Sequence, residues 1–303
     1  VHLYVDFFDK HNSNYLWLNA FKKFIPDIKH LCIVKEYHKI IDTLLNEDIE
    51  YVHFGGSIKN RLPSRIFEYL YSKKTKTSWF YGDLRFTLPL PLCIMHLITN
   101  FYCTNMTDVK TLKFKYSCNA HYMPFPVDAN TYYPLNYEKI YDAIFIGDSY
   151  ENRDEIINNI MSSLPNRNIC IFGEKWDYNK KGYEPSVYYK DYIKAVSQSK
   201  ICLSIVADEY LTHERYFSNR VANMMACKSF VISTKAIDAE QVYTNEKEII
   251  WTSNKDFPET IERCLNYSDD KRNKIANNAY DKVIAYHTLE ASVKRILKES
   301  KVI

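Results

Sequence analysis

Two stretches in the second half of the chain carry residue types suited to binding a phosphorylated ligand. In IFIGDSYENR, residues 144–153, an apolar run ends on Gly147 and is followed by Ser149 and Arg153. A strand that turns into a helix there leaves backbone N–H groups unpaired at the helix start, where the peptide dipoles favour negative charge. Gly147 lets a ligand approach the backbone, Ser149 offers a donor and Arg153 reaches an anion. NICIFGEKW, residues 168–176, repeats the arrangement with Gly173 and Lys175. Neither turn contains G-x-G-x-x-G or G-x-x-x-x-G-K-S/T, which excludes a dinucleotide fingerprint and a Walker loop. Taken alone, Gly147 reads as a structural strand-end turn, and its repetition at Gly173 is what raises the ligand reading. The second stretch is THERYFSNRVANMMACKSFVIS, residues 212–233. There Arg215 and Arg220 have the directed donors that bind a diphosphate, and Asn219 and Asn223 suit hydroxyls or a base edge. The competing reading is a helix capped at Ser218, with solvent-facing charges and with Met224 and Met225 in the core. His213, Glu214 and Arg215 form a polar cluster after an expected strand, a place for a reactive group.

Carboxylates at Asp6, Asp83, Asp148 and Asp208 fall near expected strand ends, where they can project into a cleft. Asp83 is the preferred first-half candidate for acid–base work on an acceptor. His53 and the Gly55-Gly56 pair shape the same region or simply form a strand and a permissive turn. No close His/Cys/Asp/Glu grouping has metal-ligand spacing, and there is no HExxH motif and no G-x-S-x-G elbow. The 26 tyrosines suit sugar or base stacking as well as core filling. Lys73-Lys74, Lys175 and Lys180-Lys181 are short clusters that read as solvated faces rather than a nucleic-acid track.

These residues must be held by a chain of 303 residues, enough for about two domains at ~150 residues each. With 46% hydrophobic and 25% charged residues, the composition excludes global disorder and fibrous repeats. Forty Lys+Arg against 37 Asp+Glu leave a net charge of +3, which names no nucleic-acid or membrane partner by itself. The eight cysteines show no paired C-x-x-C ligands and read mostly as buried thiols of a reducing compartment. The first residues lack the basic start and cleavage region of a signal peptide, and the apolar run from Leu88 to Ile98 is interrupted by Pro89, Pro91 and His96. The expected location is cytoplasmic, or the host cytoplasm if the source is viral, with no transmembrane segment. The Lys-, Asn-, Ile- and Tyr-rich composition fits an AT-rich coding sequence of either bacterial or viral source.

Hydrophobic periodicity supplies the elements. Strands are expected at 2–8, 31–34, 49–56, 77–83, near 99–103 and near 120–124, with helices at 15–24, 36–46 and 65–73. Three prolines and several turn formers in 123–142 make a continuous helix improbable and mark a domain crossing. Beyond it, strands at 141–149, 168–176, 201–208, 229–233 and 248–251 alternate with helices at 153–164, 188–198 and 218–227, as in a parallel α/β domain. From Phe257 to Lys301 the pattern is helical.

The second half resembles the two-domain glycosyltransferases of the spore-maturation CgeB/YkvP-like group, within the glycosyltransferase family 1 superfamily. The resemblance rests on four ordered pieces: MPFPVDANTYYP, YDAIFIGDSYENRDEII, SNRVANMMACKSFVIS and IANNAYDKVIAYHTLEASVKRIL. TSWFYGDLR, which contains Asp83, resembles an acid-ending strand of the first domain. The resemblance implies an α/β, GT-B architecture of two Rossmann-like domains facing an interdomain cleft. Residues 1–125 would form the acceptor-side domain, 126–285 the nucleotide-sugar-binding domain, and 286–303 a final helix crossing back to the first. It implies a sugar transferase acting on a nucleotide-sugar, expected to be a UDP-sugar, with retention at the anomeric carbon and no required cofactor or metal. Gly147, Ser149, Arg153, Gly173, Lys175, Arg215, Asn219, Arg220 and Asn223 would bind the donor, and Asp83, His213 and Arg220 would act in catalysis. The acceptor would be a glycan, a protein or another hydroxyl-bearing molecule. Where the group's pattern reads Arg-x-x-Glu followed by Ala-Cys-Gly, this chain has Asn223 and Lys228. That departure keeps a noncatalytic nucleotide-sugar-binding or assembly protein open as an alternative. A DNA-base-modifying transferase is the other alternative, and it requires a basic groove and salt-sensitive DNA affinity.

Overall fold

The computed structural model of the chain describes residues 1–6, 14–55, 62–82 and 92–303. It divides into two compact units, Val1–Pro124 with Leu289–Ile303, and Phe125–Thr288.

The first unit runs β1 (His2–Asp6), α1 (Asn14–Lys22), β2 (Lys29–Cys32), α2 (Tyr37–Asn46), β3 (Tyr51–Gly55), α3 (Ser64–Ser72), β4 (Lys76–Tyr81), β5 (Asn100–Cys103), α4 (Met106–Tyr116) and β6 (Ala120–Tyr122). All neighbouring strands pair in parallel, in the order β2-β1-β3-β4-β5-β6. The sequence places these strands to within a few residues, but α4 falls in a stretch that it leaves irregular. The reason is visible in the helix: only Val109 and Leu112 are buried, so the apolar stripe is thin. Local chemistry fixes it instead. The Asn105 side chain accepts the Asp108 N–H at 2.8 Å, and Ser117 closes the helix in the left-handed region at φ 49°.

Period-two alternation gives this sheet two unlike faces. Leu3, Val5, Val52, Phe54, Trp79 and Phe101 pack in an apolar core with Ile40, Leu44, Ile66, Phe67 and Leu70 of α2 and α3. The opposite face carries Tyr4, Asp6, Tyr51, His53, Ser78, Asn100 and Tyr102, all buried. His53 sits among the rings of Trp17 and Phe21 from α1, with centroids at 6.0 and 4.5 Å. Its Nδ1 shares a 2.7 Å hydrogen bond with Ser78 Oγ, which also bonds Tyr51 Oη at 2.6 Å.

The second unit runs β7 (Tyr141–Ile146), α5 (Arg153–Ser163), β8 (Ile169–Phe172), β9 (Tyr183–Glu184), α6 (Tyr189–Ser197), β10 (Ser199–Ser204), α7 (Asn219–Ala226), β11 (Val231–Thr234), β12 (Ile250–Thr252), α8 (Phe257–Leu265) and α9 (Asp269–Tyr286). Its parallel sheet has the order β12-β11-β10-β7-β8-β9. The sequence reading misses β9, whose two residues carry no periodic signal. It also runs the β10 strand to Asp208, four residues past its end. The helical tail is three helices, interrupted at Ser268, whose side chain caps α9, and before α10 (Leu289–Glu299). The chain returns to the first unit in α10, where Tyr102 Oη donates to Glu299 at 2.8 Å and Asn100 Nδ2 to Ser300 Oγ at 3.0 Å. Lys23 also pairs there with Glu290. The fold is therefore two parallel α/β sheets, each flanked by helices. Among the described residues, no helix is long and apolar enough to cross a membrane.

The buried His53 has a consequence for stability. Burial disfavours its charged form and lowers its pKa to about 3, against ~6.5 in an unfolded chain. Between those values the unfolded state binds the extra proton, so stability falls as pH drops below ~6.5. Going from pH 7 to pH 5 costs about 2 kcal/mol from this group alone. Urea unfolding of His53→Gln should show a pH dependence shallower by about that amount. An unchanged slope would mean that His53 is solvated.

Candidate phosphate pocket of the second unit

In a sheet of this order the strand sequence reverses between β7 and β10, and crevices form beyond the carboxyl ends of the strands at that point. A pocket of about 490 Å³ lies there. Its floor is made by close backbone approach. Gly147 N–H donates to Phe172 O at 2.7 Å, and Trp176 Nε1 donates to Gly147 O at 2.8 Å. A Cβ on Gly173 would stand 2.1 Å from Gly147 O and 2.8 Å from Trp176 Nε1, so only glycine fits.

Helix starts supply the walls: Arg153 opens α5, Tyr188 caps α6, and Asn219 and Arg220 open α7. Neither Asn152 nor Tyr188 gives its helix a side-chain cap, although acids stand in the first turn of each, Asp154 and Glu155 in α5 and Asp191 in α6. Ser218 caps α7 by accepting from the Arg220 N–H at 3.4 Å. Arg153, Lys175 and Arg220 line the pocket against a single carboxylate, Asp148, among the described residues. Asp148 Oδ1 accepts the Glu174 N–H at 2.9 Å.

Arg220 is the most constrained of these groups. Its Nη1 donates to Ile146 O at 3.2 Å and its Nη2 to Ile205 O at 3.3 Å. The guanidinium lies over the Phe145 ring, 5.0 Å from its centroid. Nε is buried without a hydrogen-bond partner among the described residues. Burial first, and the neighbouring Arg153 second, lower its pKa to about 10. An anion beside it relieves both penalties. Tyr192 is buried next to it, its ring edge-on to Tyr132 at 5.4 Å and its hydroxyl also unpartnered among the described residues.

The pocket thus brings together Gly147, Ser149, Arg153, Gly173, Lys175, Asn219, Arg220 and Asn223. Arg215 and His213 do not line it. Arg215 has left-handed backbone at φ 57°, and its guanidinium donates to Gln241 Oε1. His213 packs with Tyr210 and Tyr216, each ring 6.3 Å away. Asp208 is taken up by Asn152 Nδ2 at 2.7 Å and Asn254 Nδ2 at 2.6 Å, so its carboxylate braces the loop before α5. Asp6 is fully buried at the end of β1, 3.0 Å from His30 Nε2. Asp83 and Gly56 lie outside the described residues. Sequence reasoning did not single out Tyr132, which lies within MPFPVDANTYYP, nor Ser186, Tyr188 and Tyr192, for which the helix expected to begin at 188 was the available signal. Among the described residues, no group of three or more His, Cys, Asp or Glu is placed to hold a metal ion.

Neither glycine should tolerate alanine. A Cβ on Gly147 meets the Arg220 Nη1 at 2.1 Å, in a guanidinium held by two backbone carbonyls, and a Cβ on Gly173 meets Gly147 O at the same distance. Gly147→Ala and Gly173→Ala should each cost about 1–3 kcal/mol in urea unfolding. Wild-type stability of either variant would contradict the packing described.

A family described as glycosyl transferase-like matches residues 153–298. No curated protein sequence matches the chain. Among solved structures, a glycosyltransferase from Rickettsia africae ESF-5 superimposes with a TM-score of 0.71 at 12% identity, covering 99% of this chain and 98% of that one. Anabaena HepE in complex with UDP and glucose gives 0.66 at 10% identity, with 99% and 98% covered. Sucrose-phosphate synthase from Thermosynechococcus elongatus gives 0.64 at 8%, with 100% and 99% covered. At these identities the likeness establishes the fold, which is GT-B.

Proposed function

We propose that the chain is a glycosyltransferase that holds a nucleotide-sugar by its diphosphate in the second-unit pocket and passes the sugar to an acceptor hydroxyl. The observation that carries the reading is the half-buried Arg220 guanidinium among three helix starts, with Arg153 and Lys175 beside it. The matched glycosyl transferase-like family and the GT-B fold support it. HepE, which shares that fold, is described with UDP and with UDP-glucose, and this supports a UDP-sugar as the donor.

In transfer, a bond forms between the acceptor oxygen and the anomeric carbon while the bond from that carbon to the diphosphate oxygen breaks. The acceptor hydroxyl's proton passes to an acceptor-side base, the role given to Asp83; the electron pair of the broken bond leaves with the diphosphate, and Arg220, Arg153 and Lys175 are suited to stabilise its charge. The N-terminal ends of α5, α6 and α7 add to the same field. We assign Asp83 an acceptor-side role and transfer with retention, both from the family resemblance; the anomeric coupling of the product reports the stereochemistry. The acceptor is a glycan, a protein or another hydroxyl-bearing molecule. Asn223, where the resembling group carries glutamate, favours a second reading as a nucleotide-sugar-binding protein without turnover. Binding with neither transfer nor hydrolysis across an acceptor screen would select it.

Arg220→Ala should weaken UDP-glucose binding by roughly ten- to a hundredfold, as expected for loss of a charge-assisted contact. Arg220→Lys, which keeps the charge, should recover part of that loss. Unchanged affinity in folded Arg220→Ala would refute the phosphate role. Asp83→Asn should leave donor affinity intact and abolish transfer, and full transfer would remove Asp83 from the mechanism.

A further inference from the structure

Helix α4 of the first unit ends on an aromatic ring that nothing in the protein covers. Phe114 is 85% exposed, and no other large apolar side chain among the described residues stands as clear of the surface. Its chain neighbours Lys113 and Lys115 are both exposed, and neither has an acid partner among the described residues. From Val109 to Ser117 the chain carries three lysines and no acid. Lysines in a last turn complement the negative end of the helix dipole, which accounts for the charges but leaves the phenyl ring unexplained.

The topology gathers more of the same chemistry at this edge. Helices α3 and α4 lie on one face of the sheet, where Ile66, Phe67, Leu70, Val109 and Leu112 enter a common core. Each runs straight into a strand, α3 into β4 and α4 into β6, so both helices end at the amino edge of the sheet. Only β5 separates those strands, which sets their starts about 10 Å apart. Tyr71, Lys73 and Lys74, all exposed at the end of α3, therefore share this edge with Lys113, Phe114 and Lys115. The acids of the neighbourhood lie to one side. Glu68 is a helical turn back along α3, and Glu47, Asp48 and Glu50 precede β3, three strands from β6, where Lys29 pairs with Glu47.

A rigid partner would need a matching depression to cover a ring that protrudes this far, whereas the headgroup layer of a bilayer yields around it. Lipid phosphates are the complement of the lysines. We propose that this edge of the first unit docks on an anionic phospholipid surface, with Phe114 in the headgroup layer and Lys73, Lys74, Lys113 and Lys115 facing the phosphates. Each lysine near such a surface adds about fivefold in affinity, and burial of a phenyl ring about tenfold or more. The contact is peripheral, reversible and weakened by salt.

The test is co-sedimentation of the full chain with vesicles of phosphatidylcholine alone and of phosphatidylcholine with about 30% phosphatidylglycerol. Binding should require the anionic lipid and fall when salt rises from about 0.1 M to about 0.5 M, where the screening length drops from roughly 10 Å to about 4 Å. Phe114→Ser should weaken it roughly tenfold, and Lys113→Gln with Lys115→Gln about twenty-five-fold. These side chains are exposed, so the variants should keep the wild-type urea midpoint. Lys180→Gln with Lys181→Gln removes the same charge from an exposed loop of the second unit and should leave binding unchanged. No binding to the anionic vesicles, undiminished binding of Phe114→Ser, or an equal loss in the Lys180 and Lys181 variant would overturn the proposal. So would tighter binding to duplex DNA that the Lys113 and Lys115 variant abolishes, which would give the edge to a nucleic acid instead.

Discussion

The second unit is organised around a cation that is hard to place. Removing a guanidinium from water is costly, and here it is met by two backbone carbonyls at the ends of adjacent strands, Ile146 O and Ile205 O, and by the face of Phe145. Those carbonyls face one another because β7 and β10 are neighbours at the point where the strand order reverses. The guanidinium also passes so close to the chain that residue 147 has no room for a side chain. That constraint passes to Gly173, which packs directly on Gly147 O, and to Trp176, whose indole N–H satisfies the same oxygen. One half-buried charge thereby constrains two glycines and a tryptophan at two different strand ends.

The neighbouring loop is held by a different device. Asp208 accepts from Asn152 and Asn254, Asn254 Oδ1 accepts from Thr234, and Thr234 Oγ1 accepts the Val206 N–H. Tyr150 and Tyr210 add a 2.8 Å hydroxyl pair. These bonds tie the loop carrying Ser149 to the far strands of the sheet, so the α5 start keeps its position without a cap of its own. A rigid polar frame of this kind suits an anion site, where preorganised donors act without reorganising.

The sequence made the fold legible where apolar residues ran in short blocks between glycines, as in IFIG and CIFG, because a buried parallel strand needs both faces apolar. It made part of the pocket's lining legible because the glycine that ends an apolar strand occurs twice, at Gly147 and Gly173, with serine and arginine following the first. It was silent on Tyr132, Tyr188 and Tyr192, since aromatic residues fill cores and line pockets with the same local pattern. It also pointed to His213 and Arg215, which do not line this pocket and whose neighbourhood in the chain says nothing of the turn that sets them beside Tyr216 and Gln241. Asp208 looked like a free strand-end acid because its partners, Asn152 and Asn254, are remote in sequence.

The most direct test of the account is ligand-observed NMR of the full chain with UDP-, GDP-, ADP- and CMP-sugars. Saturable binding of at least one, competed away by its free nucleoside diphosphate but not by the nucleoside, is the predicted result, because the proposed contact with Arg220 is made by the phosphates. Binding that the nucleoside competes as well as the diphosphate, or no binding of any of the four, would contradict the assignment of this pocket to a nucleotide-sugar.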